Sequence, residues 1–141
     1  MTPDTPFTCR VYYEDTDLAG IVYYANYLKF IERARSEWVR ARGIDQVALK
    51  ARGLVFAVRR VEADYLKPAH FDDLLTIQTR ETARTPARLT LLQTVLRDQV
   101  SLFEAKVTLV CLKEDGTPTR LPFQETRPRG PIVETPVSTD P

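Results

Sequence analysis

One stretch of this sequence has the periodicity of a long amphipathic helix, and this feature restricts the possible folds more than any other. Between residues 23 and 41, apolar side chains recur at spacings of three and four, and charged residues fill most of the positions between them. The apolar positions are Tyr23, Tyr27, Phe30, Ile31, Ala34, Trp38 and Ala41. The pattern predicts a helix of about five turns that buries one face and ends at Gly43.

Most of the remaining domain is predicted to be β-structure. A short strand is predicted over residues 7–13 and long strands over 54–66, 74–85, 87–97 and 102–113, with a second short helix over 45–51. Asp98-Gln99 and Asp115-Gly116 are typical of hairpin turns, so the last three strands should form an antiparallel meander. Because one long helix can cover one face of a sheet, we predict an α+β protein. Its fold would be a hotdog fold, a five- or six-stranded antiparallel sheet wrapped around one long central helix.

Proline positions mark the ends of the predicted domain, because proline cannot donate to a strand ladder and is expelled from helix interiors. Eight of the ten prolines lie near the two ends of the chain: Pro3, Pro6, Pro118, Pro122, Pro128, Pro131, Pro136 and Pro141. We therefore expect the hotdog domain to span residues 1–121. The segment 122–141 is expected to be a Pro-rich, poorly ordered tail.

Charge and hydropathy exclude several classes of partner. A formal net charge of +1 on 141 residues gives no excess of Lys and Arg for binding nucleic acid. The longest apolar runs, residues 54–58 and 107–112, fall far short of the roughly 20 residues that span a bilayer, so no stable membrane insertion is expected. Pro3, Asp4 and Pro6 interrupt the start of the chain, where a secretory signal would be apolar. We expect a cytoplasmic protein.

The scarcity of cysteine, histidine and clustered glycine limits the chemistry. Cys9 and Cys111 stand far apart, each without a nearby second cysteine, so we expect small buried side chains and no metal site. The single histidine, His70, lies in a predicted turn, and the chain has no nucleophile elbow for it to serve. The five glycines are too scattered for a nucleotide-binding motif. No cofactor is predicted.

The loop before the long helix carries the residues best suited to catalysis. Glu14, Asp15 and Asp17 follow the first strand, Gly20 comes next, and the helix begins within a few positions. A helix N-terminus offers unpaired backbone N–H groups and a partial positive charge, which suit an oxyanion. A carboxylate facing it can act as nucleophile or general base in acyl transfer. The alternative is that the aspartates only cap the turn and the helix.

This loop resembles a known family signature. Residues 13–27 read Tyr-Glu-Asp-Thr-Asp-Leu-Ala-Gly-Ile-Val-Tyr-Tyr-Ala-Asn-Tyr. They are similar to the D-x-D-x-x-G-x-V-Y-x-x-x-Y motif of the 4-hydroxybenzoyl-CoA thioesterase family, in particular its YbgC-type acyl-CoA thioesterases associated with the Tol-Pal system. The similarity continues through residues 30–37, 63–69 and 72–77 and covers residues 8–121. It implies the hotdog fold and hydrolysis of an acyl-CoA thioester.

The resemblance also implies roles for individual residues. Asp17, the second aspartate of the motif, would be the catalytic carboxylate. Tyr24 would present its backbone N–H, at the start of the central helix, to the thioester carbonyl oxygen. Gly20 would let the loop pass close to the acyl group. Whether Asp17 acts as a nucleophile or as a general base stays open.

Further residues are candidates for substrate binding. Tyr27 and Phe56 are candidates for the acyl pocket. Coenzyme A carries three phosphate groups, so arginines near the site are expected, and the resemblance points to Arg84 and Arg88 at a strand junction. The alternative is that these arginines are solvated turn residues.

One departure from the family pattern concerns the acyl group. YbgC-type members usually have His at the position of Tyr24, whereas the 4-hydroxybenzoyl-CoA enzymes have Tyr there; residues 23–27 mix the two patterns. A role for an imidazole at this position is therefore not expected, but the backbone N–H role is unaffected. The substrate would be a small acyl-CoA, with an aromatic, 4-hydroxybenzoyl-type acyl-CoA as the alternative.

Two other functions are possible for a hotdog fold. A hotdog hydratase or dehydratase would need a histidine in the site, and His70 is far from Asp17 in sequence. A module that binds an acyl thioester without turnover is the other alternative. By resemblance we expect a homo-oligomer, a dimer or a tetramer built by joining sheets edge to edge, and also Tol-Pal-linked protein partners.

Overall fold

The computed structural model describes residues 5–123, and its secondary structure follows the predicted order. The elements are β1 (Phe7–Arg10), a 3-10 turn (Tyr13–Asp15), α1 (Asn26–Ala41), α2 (Gln46–Ala51), β2 (Leu54–Tyr65), β3 (Leu74–Arg84), β4 (Leu89–Arg97), β5 (Val100–Lys113) and β6 (Pro118–Thr119). All but the first two residues of the predicted tail lie outside the described residues, so the domain boundary stays a prediction.

The strands form one antiparallel sheet around α1. Its order is β1-β3-β4-β5-β2, and β6 adds to β5. The predicted meander of β3, β4 and β5 is confirmed. Asp98 and Gln99 have φ of 51° and 70°, as a two-residue hairpin with a right-handed strand twist requires. A six-stranded sheet with one long helix on its face confirms the predicted hotdog architecture.

The core lies between α1 and the concave face of the sheet. Along β4, every second residue from Leu89 to Val95 is buried, because alternate side chains of a strand point to the same face. The buried face of α1 comprises Tyr27, Phe30, Ile31, Ala34, Trp38 and Val39. Burying each large apolar side chain contributes roughly 1.5–3 kcal/mol, so this interface holds α1 across the sheet.

A buried glutamine fixes α1 on the sheet. Gln93 of β4 has no exposed surface, and its amide nitrogen donates to the Ile31 carbonyl (2.9 Å) and to Thr79 Oγ1 (3.0 Å). Its amide oxygen accepts a hydrogen bond from Arg35 Nη1 (3.0 Å). Because an unpaired buried amide would be costly, this network favours a single register of the helix over the strands.

The two largest differences from the predicted bounds both occur at the acidic loop. The first strand ends at Arg10, because the Asp15 carboxylate accepts a hydrogen bond from Tyr12 N–H (2.8 Å) and folds residues 13–15 into a 3-10 turn. The helix begins at Asn26 and not at Tyr23, because Tyr23 N–H donates to the Asp15 carbonyl (2.9 Å). Contacts with the loop thus override the helical periodicity at this end.

Candidate active site

The loop between β1 and α1 folds back on itself as a small ladder. Thr16 and Val22 form an antiparallel bridge, flanked by hydrogen bonds from Tyr23 N–H to the Asp15 carbonyl and from Asp17 N–H to the Ile21 carbonyl (both 2.9 Å). These bonds hold the acidic residues beside the chain that enters α1. The loop is therefore a fixed structure that places Asp17 and the start of the helix on one unit.

Gly20 closes the tip of this loop. It has φ of +83°, which disfavours residues with a Cβ, and its N–H donates to the Asp17 carbonyl (2.9 Å). A Cβ built on Gly20 would meet no atom of the described residues within 4 Å. Backbone conformation, and not crowding within the chain, is thus what requires glycine at this position.

The carboxylate of Asp17 is exposed and only half used. Its Oδ1 accepts a hydrogen bond from Ala19 N–H (2.9 Å), a local turn contact, whereas Oδ2 has no hydrogen-bond partner among residues 5–123. Asp17 therefore caps its own turn but not α1, whose N-cap residue is Ala25. One carboxylate oxygen stays available to a substrate or a water.

Two backbone donors are unpaired where α1 begins. Within the described part of the chain, the N–H groups of Tyr24 and Ala25 make no hydrogen bond, whereas Asn26 N–H donates to the Tyr23 carbonyl (2.8 Å). No side chain of residues 5–123 caps this helix end. Tyr24 as a whole is 63% exposed. The helix start can therefore hold a partial negative charge, as an oxyanion site requires.

Aromatic rings form one wall beside these donors. Tyr65, at the end of β2, donates its hydroxyl hydrogen bond to the Tyr24 carbonyl (2.9 Å), and its ring centroid lies 6.2 Å from that of Tyr24. Tyr27 lies beneath these two rings. Its ring is stacked on that of Phe103, with 4.8 Å between the centroids, and its centroid lies 5.6 Å from that of Tyr65. We call Tyr24, Tyr27, Tyr65 and Phe103 the aromatic wall. Tyr65 was not among the predicted site residues, although it lies in a segment that supports the family resemblance.

Residues 68–73 pack against the loop from the other side. Val22 N–H donates to the Ala69 carbonyl (2.8 Å), and Tyr27 Oη accepts a hydrogen bond from Ala69 N–H (3.1 Å). Asp73 secures this segment, because its carboxylate accepts hydrogen bonds from His70 N–H (2.8 Å) and Arg97 Nη1 (2.7 Å). Partial burial acts to raise the pKa of Asp73, but these two partners outweigh it and hold that pKa below its usual range.

The structure brings His70 next to the loop, although the two are far apart in sequence. Ile21 and His70 form an antiparallel bridge, which adds a third short strand to the ladder of residues 16–22. Distance in the sequence was the reason for expecting no histidine near Asp17, and the spacing of residues does not report this pairing. The side chain of His70 is 54% exposed.

Phe56 does not join this group within one chain. It lies nine residues before Tyr65 on β2, which corresponds to roughly 30 Å along the strand. Its ring contacts that of Phe123 at 5.8 Å, and Phe123 in turn lies 6.3 Å from Trp38 near the other end of α1. Phe56 therefore belongs to the opposite end of the molecule.

Arg84 and Arg88 lie at that opposite end as well. They flank the β3–β4 turn, ten or more residues from Leu74, so roughly 30 Å of strand separates them from the acidic loop. Arg84 forms a forked ion pair with Glu81 (2.9 and 2.8 Å), and its guanidinium lies 4.4 Å from the Phe123 ring centre. The Glu81 carboxylate thus already neutralises most of the positive charge of Arg84.

The described residues give no sign of metal or thiolate chemistry. Across residues 5–123, no three His, Cys, Asp or Glu side chains lie close enough together to hold a metal ion. Cys111 is buried, Cys9 is half-buried, and burial raises the pKa of the Cys9 thiol to about 11. Neither helix in this part of the chain has the length and hydropathy needed to span a bilayer.

Comparison with known proteins identifies the family of the chain. Residues 19–104 match the family model described as Thioesterase superfamily. An Escherichia coli protein named acyl-CoA thioester hydrolase YbgC is 43% identical over 104 residues, covering 73% of this chain and 78% of the relative. A probable thioesterase from Bartonella henselae has a crystal structure that superposes with a TM-score of 0.80 at 42% identity, covering 84% of this chain and 99% of that one.

A more distant structure shares the fold. A 4-hydroxybenzoyl-CoA thioesterase mutant, complexed with 4-hydroxybenzoyl-CoA, superposes with a TM-score of 0.79 at 22% identity, over 86% of this chain and 94% of that one. The family model covers more than half of the chain, and the curated relative exceeds 40% identity over most of its length. The chain therefore belongs to the thioesterase superfamily of thioester hydrolases, with YbgC-type proteins among its relatives.

Proposed function

We propose that this protein hydrolyses acyl-CoA thioesters to a free acid and CoA, with Asp17 as the catalytic carboxylate. One observation carries the proposal: a carboxylate with a free oxygen and unpaired N–H groups at a helix start are held on the same hydrogen-bonded loop. Relatives named as acyl-CoA thioester hydrolases support the substrate class.

The proposed mechanism divides the work between side chain and backbone. Asp17 Oδ2 attacks the thioester carbonyl carbon or takes a proton from an attacking water. The Tyr24 N–H donates to the carbonyl oxygen as negative charge develops on it, assisted by the partial positive charge of the α1 N-terminus. The CoA thiolate then leaves. On the direct route this step leaves an acyl-Asp17 anhydride, which a water hydrolyses to release the acid and restore the carboxylate. On the general-base route the water oxygen already belongs to the released acid, and Asp17 returns its proton to solvent or to the thiolate. A thiolate is a good leaving group, so no histidine needs to protonate it.

The acyl group is proposed to lie against the aromatic wall. Tyr24 and Tyr65 are 63% and 49% exposed and offer an apolar surface beside the Tyr24 N–H, whereas Tyr27 and Phe103 are 3% and 0% exposed and support these two rings from behind. A small aliphatic acyl chain fits such a surface. An aromatic acyl group is the second candidate, because edge-to-face contacts with tyrosine rings would favour it.

Thiol release from a panel of acyl-CoA esters tests the function. Acetyl-, butyryl-, hexanoyl-, palmitoyl-, benzoyl- and 4-hydroxybenzoyl-CoA are incubated with the protein, and free CoA is measured. We expect hydrolysis with a clear preference for short aliphatic or for aromatic groups, which decides between the two substrate classes. No release from any ester would contradict the thioesterase function and favour a binding module.

We also propose that two copies join through β2 to complete each site. No strand pairs with the outer edge of β2 among residues 5–123, and Val58, Val61 and Tyr65 on its concave side are 40–49% exposed. A long unpaired edge with apolar side chains favours association. With a two-fold axis at the middle of β2, the β2 strands of the two copies are antiparallel. The Leu54 end of one strand then lies beside the Tyr65 end of the other.

This pairing gives the distant residues a role. It brings the partner's Phe56 beside Tyr65 and the aromatic wall, where it can close the acyl pocket. Arg84 and Arg88 lie at the same end of the chain as Phe56, so they would serve the site of the other copy. Within one chain the strand lengths separate them from Asp17 by roughly 30 Å.

Placing a charge on the β2 surface should separate the two copies. Val61→Lys puts an ammonium group in the centre of the proposed interface, and we expect a monomer by sedimentation velocity, with most of the hydrolysis lost. Val47→Lys, at an 82% exposed position on α2, is the matched control and should leave both unchanged. A Val61→Lys dimer would rule out this interface, and an active monomer would show that each chain carries a complete site.

Tetramer assembly, a cytoplasmic setting and Tol-Pal-linked partners stay predictions from the sequence. The catalytic proposal does not depend on any of them.

A further inference from the structure

The three short strands of the loop ladder align His70 with Asp17. Asp17 N–H donates to the Ile21 carbonyl, and Ile21 in turn bridges His70. Residues that stand opposite each other in an antiparallel ladder direct their side chains to the same face. Asp17, Ile21 and His70 therefore form a row across one face of the ladder.

Burial confirms which face this is. Val22 and Ala69, the neighbouring positions on the middle and outer strands, are 3% and 0% exposed, so their face packs into the core. Asp17 and His70 are exposed, and Ile21 is half-buried between them. The row lies on the solvent-facing side, where a substrate can approach.

The separation along this row fits part of a CoA thioester. The two opposed pairs place the Cα atoms of Asp17 and His70 about 10 Å apart. With the thioester carbonyl at Asp17, the nitrogen of the first amide in the pantetheine arm lies about 5 Å away, four covalent bonds at standard lengths. The Nδ1 of His70 lies 3.8 Å from Asp73 Oδ2, so Nε2 is the ring nitrogen that can meet that amide. The nucleotide phosphates are too far along the arm to do so.

We propose that His70 is a substrate-binding residue that hydrogen-bonds the pantetheine amide nearest the thioester. This deepens, and rests on, the thioesterase function proposed above. The apolar acyl group goes to the aromatic wall, so the polar arm is the part left to cross Ile21 towards an exposed imidazole. An amide offers both a donor and an acceptor. A ring nitrogen of His70 can therefore donate to the amide oxygen when it is protonated, or accept from the amide N–H when it is not.

The backbone of His70 is held in place without any help from the side chain. Its backbone N–H donates to Asp73 Oδ2 (2.8 Å), and its Nδ1 lies 3.8 Å from the same oxygen. Asp73 is anchored in turn by Arg97. A substitution at position 70 keeps the hydrogen bond from the backbone N–H to Asp73, so this segment should fold unchanged. Any change in the kinetics would then reflect substrate binding.

The test compares two leaving groups on the same acyl group. N-acetylcysteamine carries the amide in question, and ethanethiol lacks it. For His70→Leu we expect kcat/KM to fall about five- to tenfold on the CoA and N-acetylcysteamine esters and to stay unchanged on the ethyl thioester. His70→Gln, which keeps a donor and an acceptor, should restore most of the loss.

Other outcomes would overturn the assignment. An equal loss on both leaving groups would mean that His70 acts on the loop or the acyl side. No loss on the CoA ester would mean that it does not contact the substrate. Failure of the thioesterase function itself is distinguishable, because the wild-type protein would then release thiol from none of the esters.

Discussion

Asp17→Asn is expected to lower kcat for acyl-CoA hydrolysis by at least ~100-fold, the scale of losing a positioned nucleophile or general base. Asparagine keeps an oxygen that can accept the hydrogen bond from Ala19 N–H, so the loop should retain its conformation. It has no negative charge and can neither attack the carbonyl nor take a proton. Steady-state thiol release measures the change, with circular dichroism to confirm that the fold is unaffected.

Glu14→Gln is the matched control for this variant. Glu14 lies three residues before Asp17 in the same acidic loop and is exposed, so its substitution removes the same charge from nearly the same place. We expect its kcat to stay within about twofold of the wild type, because an exposed charge in water changes energies several ångströms away by only about 0.5 kcal/mol. If Asp17→Asn kept most of its activity, or if both variants lost it equally, the catalytic role of Asp17 would be wrong.

Tyr24→Pro is expected to lower kcat by about 100- to 1,000-fold, the scale of removing one oxyanion donor. Proline removes the N–H that has no partner in the described part of the chain. Tyr24 is the second residue of the turn closed by the Asn26 N–H to Tyr23 carbonyl bond, a position where proline is favoured. Tyr24→Phe removes only the hydroxyl group and should change kcat little. Measuring both variants separates a backbone role from a side-chain role.

The proline variant has its own control for misfolding. If its circular dichroism spectrum or melting temperature departs from that of the wild type, replacing the Tyr24 amide by an ester through semisynthesis removes the N–H with less disturbance of the backbone. We expect the ester to show the same loss in kcat with a smaller change in KM. A large loss in Tyr24→Phe, or none in the ester, would exclude the proposed oxyanion donor.

Sequence patterns predicted the main elements because those elements depend on local periodicity. The spacing of Tyr27, Phe30, Ile31 and Ala34 places them on one face of a helix, and this face is buried whichever element the helix packs against. The turn residues Asp98 and Gln99 close a hairpin by their own backbone conformation. The ends of β1 and α1 were placed less well, since hydrogen bonds to Asp15 from Tyr12 and Tyr23 decide them.

The sequence by itself determined the hotdog architecture, the family and the acidic loop that carries Asp17, Gly20 and Tyr24. Only the tertiary structure decided which distant residues join them. It placed Tyr65 and His70 beside the loop, because β2 ends there and residues 69–70 pair with 21–22. It placed Phe56, Arg84 and Arg88 at the other end, because strand length fixes how far apart residues of one strand must lie. Pairing between distant segments leaves no periodic signal in either segment, so no pattern of spacing could have revealed it.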